Sequence, residues 1–187
     1  MRIFNLQRTP CRWLALASLC LLAACGGKLN DSGSLNSTDL LVFSARLDGS
    51  QETPPNGSPG GGLGLAVVNA RDLSFSASVV TSGVAETVTH IHEAPPGVAG
   101  PVVFAMTKEA GKVVWNAQGT LTPAQLNTMR AGGLYLDVHS ATSPEGEIRG
   151  QIQFRLPTRE QLDRLALVAQ QSGILQNQLR QAQDQVK

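Results

Sequence analysis

The three histidines of this chain lie in two short segments that alternate polar and apolar residues. His90 and His92 flank Ile91, and His139 ends the segment 134–139. Because successive side chains of a strand point to opposite faces, His90 and His92 share the face opposite Ile91. The same alternation sets His139 opposite three apolar residues of its own segment. If these strands are neighbours in one sheet, the imidazoles form a single polar site on its outer surface.

Such a site could hold one transition-metal ion. His90, His92 and His139 are the candidate nitrogen ligands, and imidazole suits copper(II) or zinc. Glu147 falls on the polar face of the last strand-like segment, together with Arg149. We interpret Glu147 as a fourth ligand or as an acceptor that orients one imidazole. The order of divalent-metal affinities favours copper where both metals are present.

Two other interpretations of these residues stay open. In the first, the histidines only donate to loop carbonyls around residues 95–97, and Glu147 and Arg149 form a surface ion pair worth little. In the second, the cluster belongs to a metalloenzyme. We do not expect an enzyme, because no separate general base or nucleophile accompanies the histidines.

Residues 1–24 have the pattern of a secretory signal, with three arginines before an apolar run too short to span a bilayer comfortably. The segment ends in Leu22-Ala23-Ala24-Cys25, which resembles the lipobox of bacterial lipoproteins. The resemblance implies that Cys25 is acylated and anchors the protein to a membrane on the extracytoplasmic side, in the periplasm or at the outer membrane. Residues 25–39 are then a flexible tether.

The next 117 or so residues, 40–156, predict one all-β domain. About eight short alternating segments separated by Gly, Pro and Asn indicate an antiparallel sandwich or barrel. One helix is predicted after Thr122-Pro123, where a capping threonine precedes proline and Gln125 stands three residues on. We interpret it as a crossover at one end of the sandwich.

Residues 157–187 differ in composition and predict a helical tail. Thr158 and Gln161 form a second capping-box pattern, and leucines recur at partial helical spacing. Gly173 interrupts that spacing. We expect a tail that docks weakly on the domain or pairs with a second copy of the chain.

Charge excludes one class of partner. The chain has 15 basic and 14 acidic residues, and loss of residues 1–24 removes three arginines, which leaves 12 against 14. A near-neutral chain without a basic cluster predicts no nucleic-acid binding. Cys11 and Cys20 lie in the signal, so the mature chain would keep only Cys25 and could form no internal disulfide.

Three ordered motifs resemble the CHRD domain, a module named after chordin. They are Phe43 to Pro55, His90-Ile91-His92 with the following Gly97 and Gly100-Pro101, and the pair 134–140 and 146–152. The resemblance implies an immunoglobulin-like, Greek-key β-sandwich and an extracytoplasmic binding role, and it brings no single catalytic activity. His90-Ile91-His92 is also similar to the histidine pair of copper/zinc superoxide dismutase, but three histidines are too few for that enzyme's two-metal site.

We therefore expect a membrane-anchored extracytoplasmic lipoprotein whose CHRD domain is a non-enzymatic binding module, with copper or zinc as its candidate ion. The alternative is a structural or protein-interaction module of the cell envelope that binds no metal. The third interpretation is a superoxide dismutase-like or other metalloenzyme. The expected partners are the lipid bilayer through Cys25, an envelope protein, and a second copy through the tail.

Overall fold

The computed structural model describes residues 39–186. The predicted signal peptide, Cys25 and the tether up to residue 38 lie outside the described residues. The strands are β1 Leu40–Asp48, β2 Gly61–Asn69, β3 Ser74–Ser82, β4 Glu86–Glu93, β5 Val102–Ala105, β6 Val114–Thr120, β7 Leu134–Ser140 and β8 Ile148–Gln151. The helices are α1 Pro123–Arg130, α2 Arg159–Ala169 and α3 Gly173–Val186.

The eight strands form one antiparallel sheet in the order β5-β4-β7-β8-β1-β2-β3-β6. Beyond β5, Thr107 exchanges two backbone hydrogen bonds of 2.8 Å with Asn116 of β6, so the two edges of the sheet meet. The predicted all-β antiparallel fold is confirmed. Because hydrogen bonding is continuous, the two layers of the sandwich are halves of one sheet that nearly closes into a barrel.

The inward side chains of the sheet and the apolar side of α1 make the main core. Thr122 accepts a hydrogen bond from the backbone N–H of Gln125, whose side chain accepts from the backbone N–H of Thr122, as the capping pattern predicts. The helix then buries Leu126 and Met129. Around them lie the buried residues Phe43, Leu47, Val68, Phe75, Val79, Ile91, Trp115, Leu134, Leu136, Val138, Ile148 and Ile152.

The C-terminal tail covers part of the outer face of the sheet. It forms two helices, and the break falls at residues 170–172, so that Gly173 begins α3. The tail contributes Leu162, Leu165, Ala169, Leu175, Leu179 and Ala182 to a second core with Val42, Leu63, Leu65, Val67 and Val114. The expectation of weak docking is therefore wrong, because the apolar side of both helices is buried on this sheet. Self-association stays a prediction.

Two smaller features complete the fold. The last strand, β8, ends at Gln151 and is shorter than the predicted segment 147–156. Beyond it, the backbone N–H of Ile152 donates to the carbonyl of Leu134, and Gln153 exchanges two backbone hydrogen bonds with Ser44 of β1. Within residues 39–186, no helix is both long and apolar enough to cross a lipid bilayer.

Candidate metal centre

The site is built on three adjacent strands. In the register of β4, β7 and β8, His90 lies opposite Asp137, and Asp137 lies opposite Arg149. His92 lies opposite Tyr135 on the same two strands, β4 and β7. Alternation therefore brings these residues to one face, as the sequence predicts.

The three histidines converge on this face. The ring centroids of His90 and His139 are 5.1 Å apart, those of His90 and His92 are 5.6 Å apart, and those of His92 and His139 are 6.1 Å apart. One ring nitrogen from each lies within 4.8 Å of the others. Nδ1 of His90 is 3.3 Å from Nε2 of His139, which equals the nitrogen–nitrogen separation of about 3.3 Å expected around a tetrahedral zinc ion.

Hydrogen bonds to loop carbonyls orient two of the rings. Nδ1 of His92 is 2.9 Å from the carbonyl oxygen of Gly100, and Nδ1 of His139 is 3.0 Å from that of Pro144. A carbonyl oxygen only accepts, so each Nδ1 carries the proton and each Nε2 of a neutral ring presents a lone pair. Nε2 of His92 is buried and has no hydrogen-bond partner.

The ring of His90 is the most accessible of the three. His90 is half-buried, whereas His92 is 9% exposed. Burial lowers the pKa of His90, and the nearby charges of His139 and His92 lower it further. His90 is therefore neutral at pH 7, which is the state in which imidazole binds a metal.

Gly100 is shaped for its role beside His92. A Cβ at this position would lie 2.1 Å from the carbonyl oxygen of Glu93, so only glycine lets the chain approach β4 this closely. The carbonyl of Gly100 accepts from His92, and its N–H donates to the hydroxyl of Tyr135 over 3.1 Å. The glycine of the central motif thus fixes the tautomer of one candidate ligand.

Glu147 does not join the histidines. Its Oε1 accepts a hydrogen bond from the Ser58 hydroxyl over 2.9 Å, and the group of three close ligand atoms contains no carboxylate. Arg149 does not pair with Glu147 either. Its guanidinium donates to Thr53, to the carbonyls of Val98 and Pro95, and to Gln151.

These bonds show that the polar face is covered, which corrects the expectation of a site on the open outer surface. The β1–β2 loop brings Thr53 over the face, and the β4–β5 loop brings Pro95 and Val98. Arg149 is only 2% exposed, and its guanidinium carbon lies 3.5 Å from the centroid of the Tyr135 ring. The same ring stacks on His92 with 4.9 Å between centroids. Arg149 therefore holds both loops against the site.

A pair of buried carboxyl groups adjoins the histidines, and the sequence alone predicts a role for neither of them. Glu52 of the β1–β2 loop is 6% exposed and Asp137 of β7 is 4% exposed. Burial raises the pKa of Glu52 to about 8, and the charge of Asp137 and a hydrogen bond between the two side chains raise it as well. Burial also raises the pKa of Asp137. Burial is the main cause of both shifts in pKa, and the charge of Arg149 acts against it in both groups.

Asp137 could have been found from the sequence, because alternation puts it on the same face as His139. Glu52 could not be placed in this way, since it lies in an irregular loop. Its only signal is the segment Gln51-Glu52-Thr53-Pro54-Pro55, where a carboxylate precedes two prolines.

The donor set fits a single transition-metal ion. Three imidazoles supply nitrogen ligands, two of them are already oriented, and one buried ring nitrogen lacks any partner. The site also lies where the chain matches a known protein family. The model of the CHRD domain matches residues 43–152, which is more than half of the chain.

The chain belongs to the CHRD domain family. Comparisons with curated proteins and with solved structures found no match. The CHRD domain spans all eight strands of the sheet apart from the first residues of β1, and it contains every residue of the candidate metal centre. The tail helices α2 and α3 lie outside the matched residues.

Proposed function

We propose that this protein is a non-enzymatic binding module of the cell envelope, anchored by lipid on Cys25, whose CHRD domain binds one copper or zinc ion through His90, His92 and His139. The observation that carries the metal is the unpartnered Nε2 of His92. Leaving a buried polar atom without a hydrogen bond costs about 1–3 kcal/mol, and a metal bond at this nitrogen would offset that cost.

The arrangement of the other two rings supports the same ion. Nε2 of His139 and Nδ1 of His90 face each other across 3.3 Å, and one proton lies between them. In the bound state His90 would carry its proton on Nε2, which frees Nδ1 as a ligand without changing the charge of the ring. Two rings are held by carbonyls on the side away from the cluster, which is the usual support of a metal-bound imidazole.

A structural module without metal is the second candidate. The same two hydrogen bonds favour it, since His92 and His139 tie the loops at Gly100 and Pro144 to the sheet. In this case the rings serve only the fold. Replacing any of them should then lower the melting temperature of the metal-free protein. Any metal that the protein takes up elsewhere should bind the variants as it binds the wild type.

Titration of the purified protein, without a histidine tag, separates the two candidates. We expect Cu(II) or Zn(II) to bind at one equivalent with a Kd below about 1 μM. We expect His90→Ala, His92→Ala and His139→Ala each to weaken binding by more than about 100-fold, because each removes a ligand rather than a supporting group. Gln118→Ala, on the exposed part of β6, is the matched control. Binding that is indifferent to all three variants contradicts the metal proposal.

The envelope location rests on the lipobox-like residues before Cys25. One acylated cysteine with several lipid chains suffices for stable anchoring. We expect the full chain to partition into detergent when it is expressed in bacteria, and Cys25→Ser to partition into the aqueous phase. Equal partition of the two proteins contradicts the anchor and leaves the metal proposal untouched.

A further inference from the structure

Asp137 lies at the centre of the polar face. It is flanked on β7 by His139 and Tyr135, lies opposite His90 on β4, and lies opposite Arg149 on β8. Its side chain is 4% exposed, and its Oδ1 is buried without a hydrogen-bond partner. A carboxylate oxygen in this state is unusual, because an ionised group that leaves water normally acquires donors.

This orphan oxygen faces the histidine cluster. Oδ1 of Asp137 is 4.0 Å from Nε2 of His139, the same nitrogen that approaches His90. Donor atoms around a tetrahedral ion with bonds of about 2.0–2.2 Å lie roughly 3.3–3.5 Å apart. Oδ1 lies outside the group of three close nitrogens, and its distance to Nε2 of His139 must shorten by about 0.5–0.7 Å, which a side-chain rotation supplies.

We propose, as an extension of the metal site proposed above, that the carboxylate of Asp137 is the fourth protein ligand of the ion held by His90, His92 and His139. Asp137 is two residues from His139 on the same face of β7 and lies opposite His90 on β4, so a turn of its side chain points the carboxylate at the cluster. An anionic oxygen also offsets part of the divalent charge in a buried site.

Glu52 holds Asp137 in place. The two carboxyl groups lie together against Gly146. A Cβ on Gly146 would lie 2.8 Å from both Oδ1 of Asp137 and Oε2 of Glu52. The backbone φ of Gly146 is 136°, which residues other than glycine rarely adopt. Glu52 is thus a positioning residue of the kind that commonly supports a ligating carboxylate.

The number of protein ligands decides whether the ion has an open coordination position. A site with three histidines alone leaves a position for water, as catalytic zinc sites do, whereas a complete set of four closes the coordination sphere. With Asp137 as the fourth ligand, the site in this chain would retain an ion and leave no open position at which to activate a substrate.

The experiment compares Asp137→Asn with Glu147→Gln in the purified full chain, titrated with Zn(II) and Cu(II). Asparagine preserves the shape of the side chain but is a much weaker ligand. We expect Asp137→Asn to lower Zn(II) affinity by about 100-fold and Glu147→Gln to leave it within about twofold, because Glu147 contacts Ser58 and not the cluster. Metal-free circular dichroism spectra establish that both variants are folded.

A second measurement compares the wild type and Asp137→Asn, each loaded with Cu(II). Bound Cu(II) accelerates the relaxation of water protons when water occupies a coordination position. We expect low relaxivity for the wild type and a rise in Asp137→Asn. High relaxivity in the wild type, or unchanged affinity in Asp137→Asn, overturns the role of Asp137 while the three-histidine site stands. If the wild type binds neither metal, the proposed function fails and the fourth ligand fails with it.

Discussion

Glu52 makes the stability of the metal-free protein depend on pH. Its pKa is raised from an ordinary value of 4.5 to about 8 in the folded state. The stability that its protonated form contributes is fully present below pH 4.5 and is lost as the pH rises toward 8. At 1.36 kcal/mol per pKa unit, the upper limit of this loss is about 5 kcal/mol. Because the irregular β1–β2 loop that carries Glu52 can open locally and admit water when Glu52 ionises, we expect about 2–3 kcal/mol.

Glu52→Gln tests this reasoning, since glutamine keeps a hydrogen-bond donor and cannot ionise. We expect the free energy of unfolding of the wild type to fall by about 2–3 kcal/mol between pH 5 and 8, and that of the variant to stay nearly level. Urea denaturation at each pH, with a chelator present, measures both. Glu145→Gln, at an exposed position of the β7–β8 loop, should follow the wild type. A Glu52→Gln curve parallel to that of the wild type would refute the assignment.

Two further predictions concern the packing around the site and the tail. Arg149→Met removes the charge beside the carboxyl pair and the donors that hold two loops. It should lower the free energy of unfolding, measured by denaturant, by about 3–5 kcal/mol. As a control, breaking the exposed ion pair of Arg71 should lower it by less than about 1 kcal/mol. Leu175→Ala, at a side chain that is 0% exposed, should cost about 2–5 kcal/mol. Leu167→Ala, at an exposed position on the adjacent helix, should cost almost nothing, and equal effects of the two would mean that the tail is not docked.

Most of the fold follows from local patterns. The alternation of polar and apolar residues in 86–93 and 134–139 predicts β4 and β7 within a residue, because that two-residue period is the period of a strand. The two capping boxes predict where α1 and α2 begin, since the caps satisfy donors that a helix start leaves free. The sequence predicts only weak docking of the tail, because it shows an apolar stripe but not the surface that covers it.

The convergence of the histidines was also predictable, but only on the condition that β4 and β7 are neighbours. That condition is met across 49 residues of sequence between His90 and His139. The sequence favours Glu147 as the carboxylate of the site because it shares the polar face of its strand. In the structure the β1–β2 loop supplies Ser58, which engages Glu147, and Glu52, which engages Asp137.

The sequence by itself determined which face of each strand each imidazole occupies, since the two-residue period of a strand is a property of the local backbone. Tertiary structure alone decided that the face is covered and which carboxyl group lies beside the histidine cluster. The physical reason is that loops lack a period, so their course depends on distant partners, such as the Pro95 and Val98 carbonyls that accept from Arg149. Those long-range hydrogen bonds hold the loops over the polar face and enclose the site.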